Sequence, residues 1–286
     1  MIEAEKAQEQ TAAASGALDR LAAFGRAGKG AIDIAGAALL LASLDRPQVP
    51  LERYRLHLDD LAAAVARAAG DNSSGESQVR ALTGVIHGSE GYSGDADTYD
   101  DLQNANLMRV IDRRKGLPVA LGILYLHAAR AQGWLADGLA FPGHFLIALS
   151  RGPERVIVDP FAGAAIGGAS ALRGLLKKVS GPEAELTPAC YAVLDDRHIL
   201  LRLLNNAKTR LAAQGRFARA VAVIDRMLLI APEETALYRD LGILQAEAGN
   251  LKAAVAALTI FVDRTQDEEA RHIAAALAQK IAARLN

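Results

Sequence analysis

The sequence predicts an α+β chain that is mostly helical, in which one small antiparallel sheet is followed by a stack of helical hairpins. Three observations carry that expectation. Apolar residues make up 51% of the chain and aromatics only 5%, an alanine- and leucine-rich balance that suits helices packed through small side chains better than an all-β sandwich. The β signal is confined to about residues 138–158. Beyond about residue 199, a nine-residue pattern returns after 34 residues. At 286 residues, the chain has room for two units, each with its own core.

Residues 1–30 read as an N-terminal tail or frayed helix, rich in alanine, glutamine and small polar residues. They close in Gly25-Arg26-Ala27-Gly28-Lys29-Gly30, which is not a phosphate loop. Ala23 stands where the first glycine belongs, Gly30 follows the lysine in place of Ser or Thr, and no strand precedes them. A first domain is expected over residues 31–198. It opens with a buried helix over about 31–43, stopped by Pro47 and Pro50, and continues with a helix over about 51–70 carrying Leu58, Leu61, Ala62 and Val65 at helical spacing. Asp71-Asn72-Ser73-Ser74-Gly75 makes a turn, and a helix over about 77–86 leads to a polar loop, residues 88–106. That loop carries Glu90, Asp95, Asp97, Asp100 and Asp101. Counted from Asp95, its sixth position is Asp100 instead of glycine and its twelfth is Asn106 instead of glutamate, so the loop reads as solvated and helix-capping rather than calcium-binding.

A buried helix over 116–131 follows, with Leu117, Leu121, Leu124 and Ala128 spaced by three or four, Pro118 in the first turn where its missing N–H costs nothing, and Gly133 closing it. Strands are expected at about 138–140, 144–149 and 155–158, the last two joined by Arg151-Gly152-Pro153-Glu154. A turn centred near Gly152 would set His144 opposite Asp159 or one pair away. Over residues 199–286, Gln214-Gly215-Arg216-Phe217-Ala218-Arg219-Ala220-Val221-Ala222 recurs as Ala248-Gly249-Asn250-Leu251-Lys252-Ala253-Ala254-Val255-Ala256. Glycine permits the tight turn and alanine the close approach of two helices. The period, with Pro232 after the first copy, is similar to the tetratricopeptide repeat.

His144 follows the Pro142-Gly143 turn, and Asp159 precedes Pro160. A carboxylate bonded to one imidazole nitrogen holds the other ready to accept a proton. The pair therefore reads as a general-base dyad or as a satisfied core histidine beside a turn-capping aspartate. Several motifs together resemble the transglutaminase-like superfamily in its bacterial SirB-type branch, over about residues 31–258. They are Asn106-Leu107, Gly116-Leu117-Pro118, Leu124-Tyr125, Ala128 with Arg130, Phe141-Pro142-Gly143-His144-Phe145, Asp159-Pro160-Phe161 and Leu200-Leu201-Arg202-Leu203-Leu204-Asn205-Asn206. The resemblance implies a papain/transglutaminase-like domain ahead of tetratricopeptide repeats, with a cysteine at the start of the central helix and a histidine and aspartate on adjacent strands.

His144 and Asp159 match the last two members. The place of the nucleophile, near Pro118, Val119 and Ala120, is degenerate, and where SirB-type relatives carry serines this chain has Ala120 and Gly122. No Ser, Thr or Cys lies between Gly116 and Gly133. Covalent acyl transfer needs such a group beside its base. The expectation is thus a non-catalytic module that binds a protein or peptide, with Phe141, Pro142, Gly143, Phe145 and Phe161 around a vestigial pair. The alternative is an amide or peptide hydrolase in which His144 and Asp159 act with water or a metal.

Lys and Arg number 32 against 33 Asp and Glu, with no basic stripe interleaved with aromatics, so nucleic acid is not an expected partner. The first ten residues are acidic and polar where an export signal would be basic and then apolar. The longest apolar run, residues 34–44, falls short of the roughly 20 residues a bilayer span needs. A cytoplasmic protein with no membrane partner is expected. The single cysteine, Cys190, permits neither an intrachain disulfide nor a cysteine-rich zinc site and reads as an apolar filler. Catalytic zinc normally takes three protein ligands, and neither His57 nor His127 has a ligand's spacing, so no metal and no cofactor are expected. His87, His198 and His272 read as surface or interface residues.

Overall fold

The computed structural model describes residues 2–27, 32–70 and 74–285. The end of the glycine-rich run at 28–30 and residues 71–73 of the expected turn lie outside the described residues. The chain divides into two compact units, residues 1–17 with 31–203 and residues 18–30 with 204–286. The N-terminal segment forms one helix, α1 (Ile2–Arg26), in which Ala17 and Leu21, four residues apart, are buried.

In the first unit, α2 (Ile34–Ser43) is buried on nearly every side, and the Asp33 side chain caps it by accepting from the Gly36 N–H at 2.9 Å. In α3 (Glu52–Ala69), Tyr54, Leu58, Leu61 and Val65 form the buried stripe that the spacing predicts. Next comes α4 (Gly75–Thr83), whose Ser74 cap accepts from the Ser77 N–H. It does not end near residue 86 but continues as a π-helical turn, Gly84–Ser89.

The polar loop is not simply solvated. Asp95 is 1% exposed and accepts from the Thr98 N–H and hydroxyl and from Arg113 Nη2 at 3.0, 2.6 and 2.9 Å. Burial alone would raise its pKa, but these hydrogen bonds outweigh it and hold the carboxyl far below the usual range. The loop is further pinned by a two-residue parallel bridge between β1 (Ser93–Gly94) and β2 (Lys115–Gly116). The remainder of the loop behaves as the sequence predicts. Asp101 caps the short turn Leu102–Ala105, and Asn106 caps α5 (Leu107–Arg113).

The central helix α6 (Pro118–Ala131), with Pro118 at its first position, is buried from Pro118 to Leu126. It packs on β3 (Leu135–Leu139) and β4 (Leu146–Arg151), and also against α2 and α3. With β5 (Glu154–Asp159), β6 (Ala164–Ala165) and β7 (Val193–Leu194), these strands form one antiparallel sheet in the order β6-β5-β4-β3-β7. The two outer strands are short and carry no sequence signal of their own.

Successive strand residues face opposite sides of the sheet. Leu146 and Ala148 join Leu139, Phe141, Cys190 and the α7 (Gly168–Ser180) residues Leu172 and Leu176 in one core cluster. The odd-numbered face of β4 is turned to α6, and there the Phe145 ring sets the spacing. A Cβ on Gly122 would stand 2.3 Å from it, and one on Gly138 would stand 2.7 Å from it and from Ile199. Because Ile199 packs here, the first turns of α8 (Asp196–Ala213) belong with the sheet. The division between units falls inside α8 rather than at its start.

In the second unit, α9 (Phe217–Ile230), α10 (Thr235–Glu247), α11 (Leu251–Arg264) and α12 (Glu268–Ala282) follow α8. Gly215 and Gly249 occupy the turns of the two repeat copies with φ of 69° and 83°, and the matched alanines Ala220 and Ala254 are fully buried. Gly242 lets α10 approach α11, since a Cβ there would stand 2.5 Å from Leu258. One period earlier the residue is Lys208, whose buried ammonium is paired with Asp240 of α10.

The Gly122 contact yields a test in which two effects oppose. On an exposed helix Gly→Ala stabilises by about 1 kcal/mol, whereas overpacking a filled core costs about 1–3 kcal/mol. Gly122→Ala should therefore lower the stability measured by urea unfolding, and adding Phe145→Leu should recover part of the loss. A stabilised Gly122→Ala would show that the Phe145 ring yields freely.

Candidate functional site

The hairpin register fixes where the two sequence-predicted polar residues stand. Ile147 pairs with Val158 and Arg151 with Glu154. Continuing that register past Ile147 sets Leu146 across from Asp159 and leaves His144 two positions further on, in the turn before β4. The expected opposition of His144 and Asp159 within one pair is thus corrected. Their side chains still meet, because both lie at the same end of the sheet: His144 Nε2 is 2.9 Å from Asp159 Oδ1.

Asp159 Oδ1 also accepts from the Phe161 N–H at 2.8 Å and the Ala162 N–H at 3.3 Å. With this carboxylate ionised, Nε2 carries the donated proton and Nδ1 of a neutral ring is left to accept one. Burial alone would raise the Asp159 pKa, but the hydrogen bond and charge of His144 and the two amides outweigh it and hold it below the usual range. The side chains are 12% and 14% exposed, so the pair is screened from solvent without being sealed from it.

Arg202 of α8, which sequence reasoning left without a role, holds the turn that carries His144. Its Nη2 donates to the Phe141 carbonyl at 2.7 Å and to the His144 carbonyl, and its guanidinium lies over the Phe145 ring at 5.8 Å. A lone arginine in the leucine-rich run 200–204 was the available signal. Phe161 closes the other side, edge-on to His144 at 6.0 Å and to Tyr99 at 6.0 Å. Its ring lies 2.5 Å from where a Cβ on Gly94 would stand, and its carbonyl accepts from the Gly94 N–H.

Of the expected binding residues, Pro142 and Gly143 are exposed and Phe161 is half-buried. Phe141 and Phe145 are 0% and 1% exposed. Their rings belong to the packing on the two faces of the sheet and are not available to a ligand.

The residues expected at the nucleophile's place are buried as well. Leu117, Pro118, Val119, Ala120 and Leu121 are all buried, and the Phe145 ring covers Gly122. The one hydroxyl on this helix, that of Tyr125, is pushed well above its ordinary pKa by burial, with Asp159 adding in the same direction, so the phenol stays neutral. Cys190 lies in the core cluster with α7, 4% exposed. Its thiol is 3.7 Å from the Thr187 hydroxyl, and it packs with the even-numbered residues of β4, on the face opposite the one turned to α6.

Comparison with known proteins places the fold in a family. A family model for the transglutaminase-like superfamily matches residues 52–205. The chain belongs to this superfamily. A tetratricopeptide repeat model matches residues 207–280. The chain is 30% identical over 221 residues to a UPF0162 protein of Xylella fastidiosa, covering 76% of this chain and 79% of the relative. It is 22% identical over 231 residues to Protein SirB1 of Salmonella typhimurium, covering 80% and 86%. It is also 29% identical to F-box only protein 21 of Mus musculus over 132 residues, which are 44% of this chain and 20% of that one. The SirB-type order of a transglutaminase-like domain followed by repeats is therefore present.

A group whose pKa is depressed on folding contributes stability that is complete above its unfolded value, about 4 for Asp, and is lost as pH falls through the folded value. Asp159→Asn should therefore be less stable than the wild type at pH 7 by about 1–3 kcal/mol. The two thermal-unfolding curves should converge as pH is lowered below about 4. A constant offset at every pH would contradict the assigned carboxylate charge.

Proposed function

We propose that this protein is a catalytically silent transglutaminase-like module that recognises a protein or peptide at the His144–Asp159 end of the sheet. The observation that carries the reading is the start of α6. Leu117 to Gly122, where the family resemblance expects the nucleophile, are buried and carry no hydroxyl or thiol. Covalent acyl transfer has no first step without that group. What the site retains suits recognition: exposed Pro142 and Gly143, the half-buried Phe161 ring, and an imidazole nitrogen that Asp159 does not engage. The tetratricopeptide repeats support the same reading, since stacked helical hairpins offer extended surface to partners.

The hydrogen-bonded imidazole–carboxylate pair also fits general-base activation of water in an amide hydrolase, and one experiment separates the two. Fluorogenic amide and peptide substrates should show no turnover that distinguishes the full-length wild type from His144→Ala. Peptides selected on the purified wild type should bind at least about tenfold more weakly, or about 1.4 kcal/mol, to Phe161→Ala. Turnover abolished by His144→Ala would establish the hydrolase instead.

A further inference from the structure

A second polar cluster is built around Arg114, where α3 meets the end of α5. Arg114 closes α5 in the left-handed region with φ of 57°, and among the described residues it is the one non-glycine with positive φ. Such a backbone persists where its surroundings over-determine it, and here they do. Its carbonyl accepts from the Ser93 N–H at 2.9 Å. Its guanidinium donates to the Glu90 carboxylate at 3.0 Å, to the Ile111 carbonyl at 3.1 Å and to the Tyr92 hydroxyl, and it lies over the Tyr92 ring at 4.6 Å.

His57, half-buried on α3, completes the cluster. Its Nε2 stands 2.7 Å from the Tyr92 hydroxyl and 2.8 Å from Arg114 Nη1. A guanidinium nitrogen carries only N–H groups and can only donate. Nε2 therefore accepts, and the ring is neutral with its proton on Nδ1. Tyr92, 1% exposed, accepts from Arg114 and gives its own hydrogen to Nε2. Burial holds this phenol well above its ordinary range, so that hydrogen stays in place.

We propose that His57, Tyr92 and Arg114 form a proton-sensitive latch on the 88–106 loop, closed while His57 is neutral and opened when Nε2 takes up a proton. A proton on Nε2 would face the Arg114 N–H, donor against donor and cation against cation, with 2.8 Å between the nitrogens. The guanidinium must then give way, and with it the hold on Glu90 and on the backbone at Ser93. Gly94, next in the chain, donates to the Phe161 carbonyl at 3.2 Å, so the latch reaches the ring that stands edge-on to His144. It regulates the proposed recognition site only if that reading holds, but its own test reads the loop, so either can fail alone.

The titratable groups facing His57 are Glu90, Tyr92 and Arg114 from the loop and the end of α5, with Asp60 on α3 itself. On α6, which packs along α3, His127 turns instead to the Leu58 carbonyl at 3.1 Å. Burial first and the Arg114 charge second lower the His57 pKa, while Glu90 and Asp60 oppose them. A base whose pKa is lowered on folding contributes stability that is complete above its unfolded value, about 6.5 for His, and is lost as pH falls through the folded value. Asp95 remains ionised there, so the loop keeps its anchor on Arg113 and the opening centres on residues 90–94.

The test follows the His57 Cε1–H and the Ser93 amide resonances by NMR on the full chain as pH is lowered from about 8 to about 5. In the wild type the His57 midpoint should lie below about 6.5, and the Ser93 amide should move with the same midpoint. In His57→Gln, which keeps an acceptor and cannot titrate, that amide should no longer move over this range. In Arg114→Gly, which keeps the left-handed backbone and removes the guanidinium, the His57 midpoint should rise by roughly one pH unit. A Ser93 amide that does not follow His57 in the wild type, or that still titrates in His57→Gln, overturns the proposal, as does an unmoved His57 midpoint in folded Arg114→Gly.

Discussion

The ring of Phe145 fills the space that a Cβ on Gly122 of α6 or on Gly138 of β3 would need. Full burial of such a side chain contributes about 1.5–3 kcal/mol, but its larger consequence is geometric. It sets how closely the central helix lies on the sheet, and it places the preceding residue, His144, at the sheet's end. It also forbids any side chain at residue 122. The packing that positions the imidazole is therefore also the packing that keeps residue 122 small.

The other constraints converge on the same end of the sheet. Arg202 ties both carbonyls of the 141–144 turn to α8, while Asp159 gathers the imidazole and two backbone amides on one oxygen. The pair of buried Asp95 with half-buried Arg113 holds the 88–106 loop against β2, and that loop supplies Gly94 and Tyr99 to the Phe161 ring. Removing Arg113 would leave the buried Asp95 carboxylate without its charged partner. The ionic contacts therefore matter here less as a net gain than as a fixed geometry, with the Phe161 ring held edge-on to His144 from the far side.

Much of this was legible in the sequence because its signals are local. Helical spacing marked α3 and α6, the proline and glycine at residues 118 and 133 marked the ends of α6, and the 34-residue period marked the hairpins of the second unit. The pairing of His144 with Asp159 was legible from motif resemblance, although its register was not, because β4 begins only at Leu146. What escaped was long-range. Phe141 and Phe145 look like binding aromatics beside a histidine, and only the sheet's two faces show that they are core. His87, expected at the surface, packs its ring against Gly163 and bonds to Tyr125 of α6, contacts that no local spacing could announce. The short strands β6 and β7 exist because neighbouring strands offer them partners, so no pattern within two residues could announce them.

The central claim is that this transglutaminase-like domain keeps the base of a triad without a nucleophile for it to serve. Intact-protein mass spectrometry after exposure to an activated acyl ester, on the wild type and on His144→Ala, tests it most directly. The account predicts no acyl adduct that depends on His144. A stoichiometric adduct on the wild type that disappears in His144→Ala would contradict it and would locate the missing nucleophile by peptide mapping.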